Sequence, residues 1–277
     1  MRREYVMNAT VLSFLNFKGG VGKTSTTALT SYSLAKMGYK VLTIDFDPQA
    51  NLTSLFLKTK SIQTGDEVIT LDTALMTAIN NKEDLNNIVV PIMKNMYLVP
   101  NAVDFSMYSR YLDKNIKSER DKVYFFKNYI QPLKDKYDFI FIDVPPTISL
   151  ANDTAFNACD QIIVVLQTQE RSLAGAEVLM DYLQKTLIDD FDSKVDVMGI
   201  LPVLSKRDAS VDEEVLSSAI KEFGEANVFQ NKIMLMERIK RMDMTGITDN
   251  QHDVWDKKVH HAFMGVAEEI LKRLGDK

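Results

Sequence analysis

Cysteine is nearly absent from this chain. The single Cys159 among 277 residues excludes an internal disulfide framework and any metal or cluster site built on several thiolates. A lone unoxidised cysteine usually packs as a small apolar residue, and the core is where Cys159 is expected. Glycine and proline are sparse, at 11 and 7 residues, so no flexible linker divides the sequence, and neither a low-complexity tract nor an internal repeat is visible. Two arginines near the start are not followed by an apolar stretch of signal length, because Asn8 and Thr10 interrupt it; this argues against secretion. An excess of positive charge is also missing. The net charge of −5 speaks against a uniformly basic surface of the kind that coats nucleic acid. What the chain has is 45% hydrophobic and 26% charged residues, enough to bury a sizeable core in one domain spanning 1–277.

Short aliphatic runs alternate with longer amphipathic ones. Strands are expected at 10–15, 40–45, 96–99, 138–142, 161–166 and 195–201, and their near-continuous apolar character fits strands covered on both faces. Helices are expected at 23–37, closed by Gly38, and at about 71–80, 104–112, 119–134, 172–187, 211–223 and 254–274. Strand and helix in alternation predict an α/β fold: a doubly wound, mostly parallel sheet with helices on both faces. Ligands in such sheets sit at the carboxyl ends of the strands.

One of those ends carries the richest motif. Lys18, Gly19, Gly20, Val21, Gly22, Lys23, Thr24 and Ser25 run from the first strand into the first helix. Glycines let backbone N–H groups curl around phosphate oxygens, and the helix start adds unpaired donors and a positive dipole end. Lys23 then reaches the β/γ-phosphates, and the Thr24 hydroxyl is a magnesium ligand. A second lysine, Lys18, stands too early to fold back onto its own phosphates, so its charge points to a nucleotide held by another subunit. Two acidic motifs fall at neighbouring strand ends. Asp45 and Asp47 alternate in Ile44-Asp45-Phe46-Asp47-Pro48, and Asp143 comes after the apolar run Phe139 to Ile142. An acid after a fully apolar strand has the Walker B role open to it, holding magnesium. Taken alone, Asp45 and Asp47 could equally end a strand and cap the segment after it.

These motifs, in this order, resemble the deviant Walker A ATPases of the ParA/MinD family, in the short partition type similar to Soj. In that resemblance Lys18 is the signature lysine crossing a dimer interface, Asp47 orients the attacking water, Asp45 supports the magnesium hydration shell and Asp143 is the Walker B acid. It implies an ATPase that binds ATP and Mg²⁺ and hydrolyses ATP as a molecular switch. The resemblance extends to Tyr97-Leu98-Val99-Pro100-Asn101 and to Cys159 through Glu170. It departs at Ser149, where the family usually has glycine, near Thr154, and at Met234-Leu235, where it usually has Pro-Arg.

Within the family, nitrogen-reducing members need paired cysteines and are excluded. Membrane members resembling MinD end in a short basic amphipathic helix. Here Trp255, Val259, Phe263, Val266, Ile270 and Leu274 form a long stripe with Glu268 and Glu269 beside it, which reads as a helix closing the sheet. Cations cluster locally at Lys206-Arg207 and at Lys232, Arg238, Lys240 and Arg241. By position Arg207 and Arg238 match family arginines that bind DNA without sequence preference, and Lys232, Lys240 and Arg241 are further candidates. The methionines at 234, 236, 242 and 244 are expected mainly in the core, and His252, His260 and His261 on the surface. About ten residues precede the first strand, leaving no room for the N-terminal helix-turn-helix domain of longer ParA proteins. The resemblance thus implies an ATP-dependent homodimer on non-specific DNA, triggered by a ParB-like centromere-binding protein, cytoplasmic and nucleoid-associated, with no membrane. The alternatives are a MinD-like positioning ATPase and a P-loop small-molecule transferase or amidoligase.

Overall fold

The computed structural model describes residues 8–65, 69–168, 170–205 and 210–275. Eight strands are present among them: β1 (Thr10–Leu15), β2 (Val41–Asp45), β3 (Val90–Met93), β4 (Met96–Val99), β5 (Phe139–Asp143), β6 (Gln161–Gln167), β7 (Asp196–Ser205) and β8 (Ile233–Met234). They form one sheet in the order β3-β4-β2-β5-β1-β6-β7-β8. Every pairing is parallel except β3 with β4. The six expected strands are all there. The two unexpected ones include the edge strand β3, where Pro91 removes a ladder donor and so masks a strand that an edge tolerates.

Ten α-helices accompany the sheet among the described residues: α1 (Lys23–Lys36), α2 (Asn51–Thr64), α3 (Leu75–Asn81), α4 (Tyr108–Asn115), α5 (Glu119–Tyr129), α6 (Leu150–Ala158), α7 (Glu170–Tyr182), α8 (Ser210–Phe223), α9 (Glu237–Thr245) and α10 (Val254–Gly275). The expected helix over 104–112 begins instead with a 3₁₀ turn at Val103–Met107, and the one over 119–134 ends at Tyr129 ahead of Pro132. Helices α2, α6 and α9 were not expected. Their sequences are rich in Thr, Asn or charge, which favour turns over helix interiors when read locally.

The central strands are buried on both faces, and alternate residues feed two cores. Val11 and Leu15 of β1 join one, with α3 to α8; Leu12 and Phe14 join the other, with α1, α2 and α10. On the second face Phe14 of β1 stacks on Phe141 of β5, centroids 5.8 Å apart. Helix α1 is buried for most of its length although it is rich in Ser and Thr. Small side chains let it lie close to the sheet, and α10 covers its outer side through Val259, Phe263, Val266 and Ile270. The expected stripe of α10 is therefore spent on packing, with one correction: Trp255 is exposed and lies under the Lys258 ammonium at 4.7 Å. Cys159 is buried, as expected.

Candidate functional site

Strands β1, β2 and β5 end side by side, and each delivers one motif. At the end of β1 the chain leaves through Asn16, whose side-chain amide donates to the Val165 carbonyl of β6 (2.6 Å) while its oxygen accepts the Lys18 N–H (2.8 Å). This buried asparagine, missed in the sequence, pins the mouth of the loop to the neighbouring strand. Gly20 and Gly22 adopt φ of 72° and 87°, values that a Cβ would strain. With Gly22 left-handed at the N-cap, α1 begins at Lys23, and the loop amides are left around an open turn.

Lys23 is buried, and its ammonium donates to the Lys18 carbonyl at 3.1 Å across the loop. Burial lowers its pKa, against the pull of Asp143 and Asp47. Lys18 is exposed at the loop mouth, its ammonium donating to Gln167 Oε1 at 3.0 Å. Phe17 beside it packs edge-on against Tyr182 of α7, centroids 5.5 Å apart.

The acids sit deeper. Asp45 and Asp143 are register partners at the ends of β2 and β5, and both are buried. Burial raises Asp143 to about 8; the adjacent Asp45 adds to this, and a hydrogen bond from Thr24 and the charge of Lys23 only partly offset it. Asp45 is raised to about 6 by burial, tempered by hydrogen bonds from Thr53 and Asp47. Its Oδ2 accepts both the Thr53 N–H (2.8 Å) and the Thr53 hydroxyl (2.7 Å), and its Oδ1 accepts the Asp47 N–H (3.1 Å). Asp45 thus supplies the acceptor for the first turn of α2, the capping role weighed for it in the sequence, while keeping its place beside Asp143. Asp47 is half-buried, its Oδ1 accepting the Gln49 N–H at 2.9 Å. Thr27 approaches Asp143 from α1 at 3.4 Å.

This donor set, a threonine hydroxyl and buried carboxylates short of counter-charge, fits a hard divalent cation that keeps several of its waters. No group of three or more His, Cys, Asp or Glu forms a closed metal cage among the described residues. The segment after Asp143 is held by Asn152, whose amide donates to the Pro145 carbonyl at 2.9 Å and to Thr147. Ser149, at the family's glycine position, caps α6. Thr53, Asn101 and Asn152 were missed as site residues because their partners lie on other elements, where no spacing rule reaches.

The predicted cations separate. Arg207 lies outside the described residues. Arg238, expected as a free surface cation, is instead turned inward: its Nε donates to the buried Asp256 at 2.5 Å and a second nitrogen to Thr248. Lys232, Lys240 and Arg241 are exposed, Lys240 beside Glu237 at 2.8 Å. Of the methionines, Met242 is buried and Met244 exposed. His260 departs in part from the surface expectation: it is half-buried, its ring lies tilted against Tyr32 of α1, centroids 5.0 Å apart, and it bonds the Thr248 carbonyl at 2.6 Å.

Comparison with known proteins agrees with this arrangement. A family model described as AAA domain matches residues 9–197, well over half of the chain. The chromosome-partitioning ATPase Soj of Treponema pallidum is 25% identical over 268 residues, covering 96% of this chain and 98% of Soj. Among solved structures, a McdA–ATP complex from Cyanothece superposes with a TM-score of 0.79 at 20% identity, covering 95% of this chain and 97% of that one. The cobyrinic acid a,c-diamide synthase of Mycobacterium smegmatis, bound to an ATP analogue and magnesium, gives 0.78 at 21% identity, covering 96% and 95%. The two structures share the fold, and the eight-stranded sheet with its glycine loop is that of P-loop nucleotide-binding proteins. By the family match and the motifs together, the chain belongs to the ParA/MinD family of AAA-domain proteins.

Proposed function

We propose that this protein is a partition ATPase of the ParA type, in which ATP and Mg²⁺ join two subunits on non-specific DNA and hydrolysis releases them. One observation carries the reading: a complete phosphate loop, bordered by two buried acids short of counter-charge, holds an exposed second lysine, Lys18, at its mouth. Loop amides from Gly19 to Ser25 and the Lys23 ammonium would bind the phosphates. Thr24 and Asp143 would hold Mg²⁺ with Asp45 behind them, and the ion would neutralise charge on the β- and γ-phosphate oxygens. Asp47 would orient water. The water oxygen would bond to the γ-phosphorus as the bond to the bridging oxygen breaks; ADP would keep that electron pair and the water's proton would pass to the phosphate product. Lys18 of one subunit would reach the partner's phosphates.

Lys232, Lys240 and Arg241 are the cations this reading assigns to DNA, with Arg207 beside them by family position; Arg238, engaged with Asp256, is set apart from that group. A ParB-like protein at a centromere would trigger turnover, and the protein would work in the cytoplasm on the nucleoid. The buried stripe of α10 supports this reading over a membrane anchor, and no helix among the described residues is long and apolar enough to cross a membrane.

Gel retardation of an unrelated duplex tests the switch. Binding is expected with ATP and Mg²⁺ and hardly at all with ADP, because a ligand shifts only the equilibria in which it discriminates. Equal retardation in both states removes the mechanism. If Lys232, Lys240 and Arg241 of both subunits contact phosphates, log affinity falls with log salt at a slope of roughly −5.

A further inference from the structure

Asn101 lies just beyond the β4 strand end and is 2% exposed. Its side-chain amide donates to the main-chain carbonyl of Asp47 at 3.1 Å, and its own N–H donates to Thr53 Oγ1 at 3.0 Å. The Thr53 hydroxyl passes on to Asp45, and Asp45 accepts the N–H of Asp47. The contacts close a ring of four residues, Asp45, Asp47, Asn101 and Thr53. Inside it, both peptide groups flanking the Asp47 Cα are held, the N–H by a carboxylate of β2 and the carbonyl by an amide from beyond β4. With Asp47 Oδ1 taken by Gln49, the direction of its second oxygen is set by the pinned main chain.

We infer that Asn101 is a positioning residue for hydrolysis, acting on the attacking water through Asp47. This rests on the assignment of Asp47 as the water-orienting acid. The chemistry demands an amide. Asn101 donates to Asp47 while its oxygen accepts the Ala102 N–H at 2.9 Å, and no carboxylate or short hydroxyl does both across that gap. A displacement of about 1 Å at a reacting group costs on the order of 10²-fold in rate, so loosening this one carbonyl reaches the chemistry without touching the phosphate loop.

The test is a mutant cycle on the full chain, with steady-state ATP turnover and fluorescent-ATP titration. Asn101→Ala is expected to lower kcat by about 10- to 100-fold while KM and nucleotide affinity stay within about threefold. In the Asp47→Ala background it should lower kcat no further, since it acts through a side chain already gone. Thr53→Val, which removes the hydroxyl joining Asn101 to Asp45, should give the same kcat-only loss, and Thr53→Ser should restore the rate; this pair decides the matter if Asn101→Ala does not fold. Additive losses in the double variant, an unchanged kcat, or a loss carried by nucleotide affinity would each overturn the inference while leaving Asp47 in place. An unchanged kcat in Asp47→Ala alone would instead bring down the catalytic reading on which it rests.

Discussion

Two pairs of buried acids in this molecule have opposite fates. Asp45 and Asp143 lie at the strand ends beside the phosphate loop, and burial raises both above the ordinary carboxylate range. Asp256 and Glu269 lie on α10, nearer the surface though largely screened from solvent, and burial pushes on them in the same direction, less strongly. There, however, hydrogen bonds from Arg238, Asn250 and Thr248 to Asp256, and from Asn231, Arg273 and Gln230 to Glu269, outweigh it and leave both acids low. Each of the second pair has its guanidinium within the chain; of the first pair only Asp143 feels a lysine, Lys23, whose ammonium also spans a loop. Counter-charge already present marks an acid used to build the fold. Counter-charge in short supply is what the proposed magnesium site would make use of.

The largest effect that would break this contrast is on stability. Asp256→Ala strands the Arg238 guanidinium among buried neighbours, and urea unfolding should show a loss of about 3–5 kcal/mol with nucleotide affinity unchanged. A stability loss of that size in Lys23→Ala would mean that the loop end is fold glue too. What is expected of Lys23→Ala is loss of nucleotide affinity by about 3 kcal/mol, the upper range for a charged hydrogen bond, read by fluorescent-ATP titration with an unchanged unfolding midpoint.

A pH titration sharpens the comparison further. Because the folded forms of Asp45 and Asp143 hold protons that the unfolded chain has released, folding takes up protons between about pH 4 and the raised values. The nucleotide-free protein should therefore lose stability as pH rises from about 4 to about 8, and Asp143→Asn should remove most of that slope. Asp256 and Glu269 act with the opposite sign. Their contribution is complete at neutral pH and disappears only below about pH 4, where the paired carboxylates protonate. The smallest effect is the control. Lys240→Ala breaks a solvent-exposed pair with Glu237, and no resolvable change in unfolding midpoint is expected; a clear shift would place that pair with the structural acids.

The phosphate loop and its acids were legible in the sequence because each motif is local: glycines at the spacing a turn needs, and an acid closing an apolar strand. Six strands were legible for a similar reason, since burial on both faces leaves uninterrupted aliphatic runs. What stayed hidden was set by distant partners. Helix α2 takes its cap from Asp45, in a strand rather than at the N-cap position, where Ala50 sits. Arg238 reads as a free cation beside Lys240 and Arg241, and only the fold brings Asp256 to it. His260 reads as a surface residue until α10 lies against Tyr32. The roles of Asn16, Asn101 and Asn152 depend on main-chain carbonyls of other elements, which no side-chain pattern records.

The place of β1 in the sheet has a consequence for synthesis of the chain. Its register partners are Phe139 to Phe141 on one side and Gln161 to Val164 on the other, so β1 is enclosed only after β2 to β6 have followed it from the ribosome. Asn16 likewise waits for Val165 before it can fix the loop mouth. At about 5–20 residues per second, the nascent chain spends roughly 10–30 s carrying its phosphate-binding motif without the walls that shape it. A growing chain halted before β6 is therefore expected to show no nucleotide binding by fluorescent-ATP titration, and binding is expected only once β6 closes the centre of the sheet around β1.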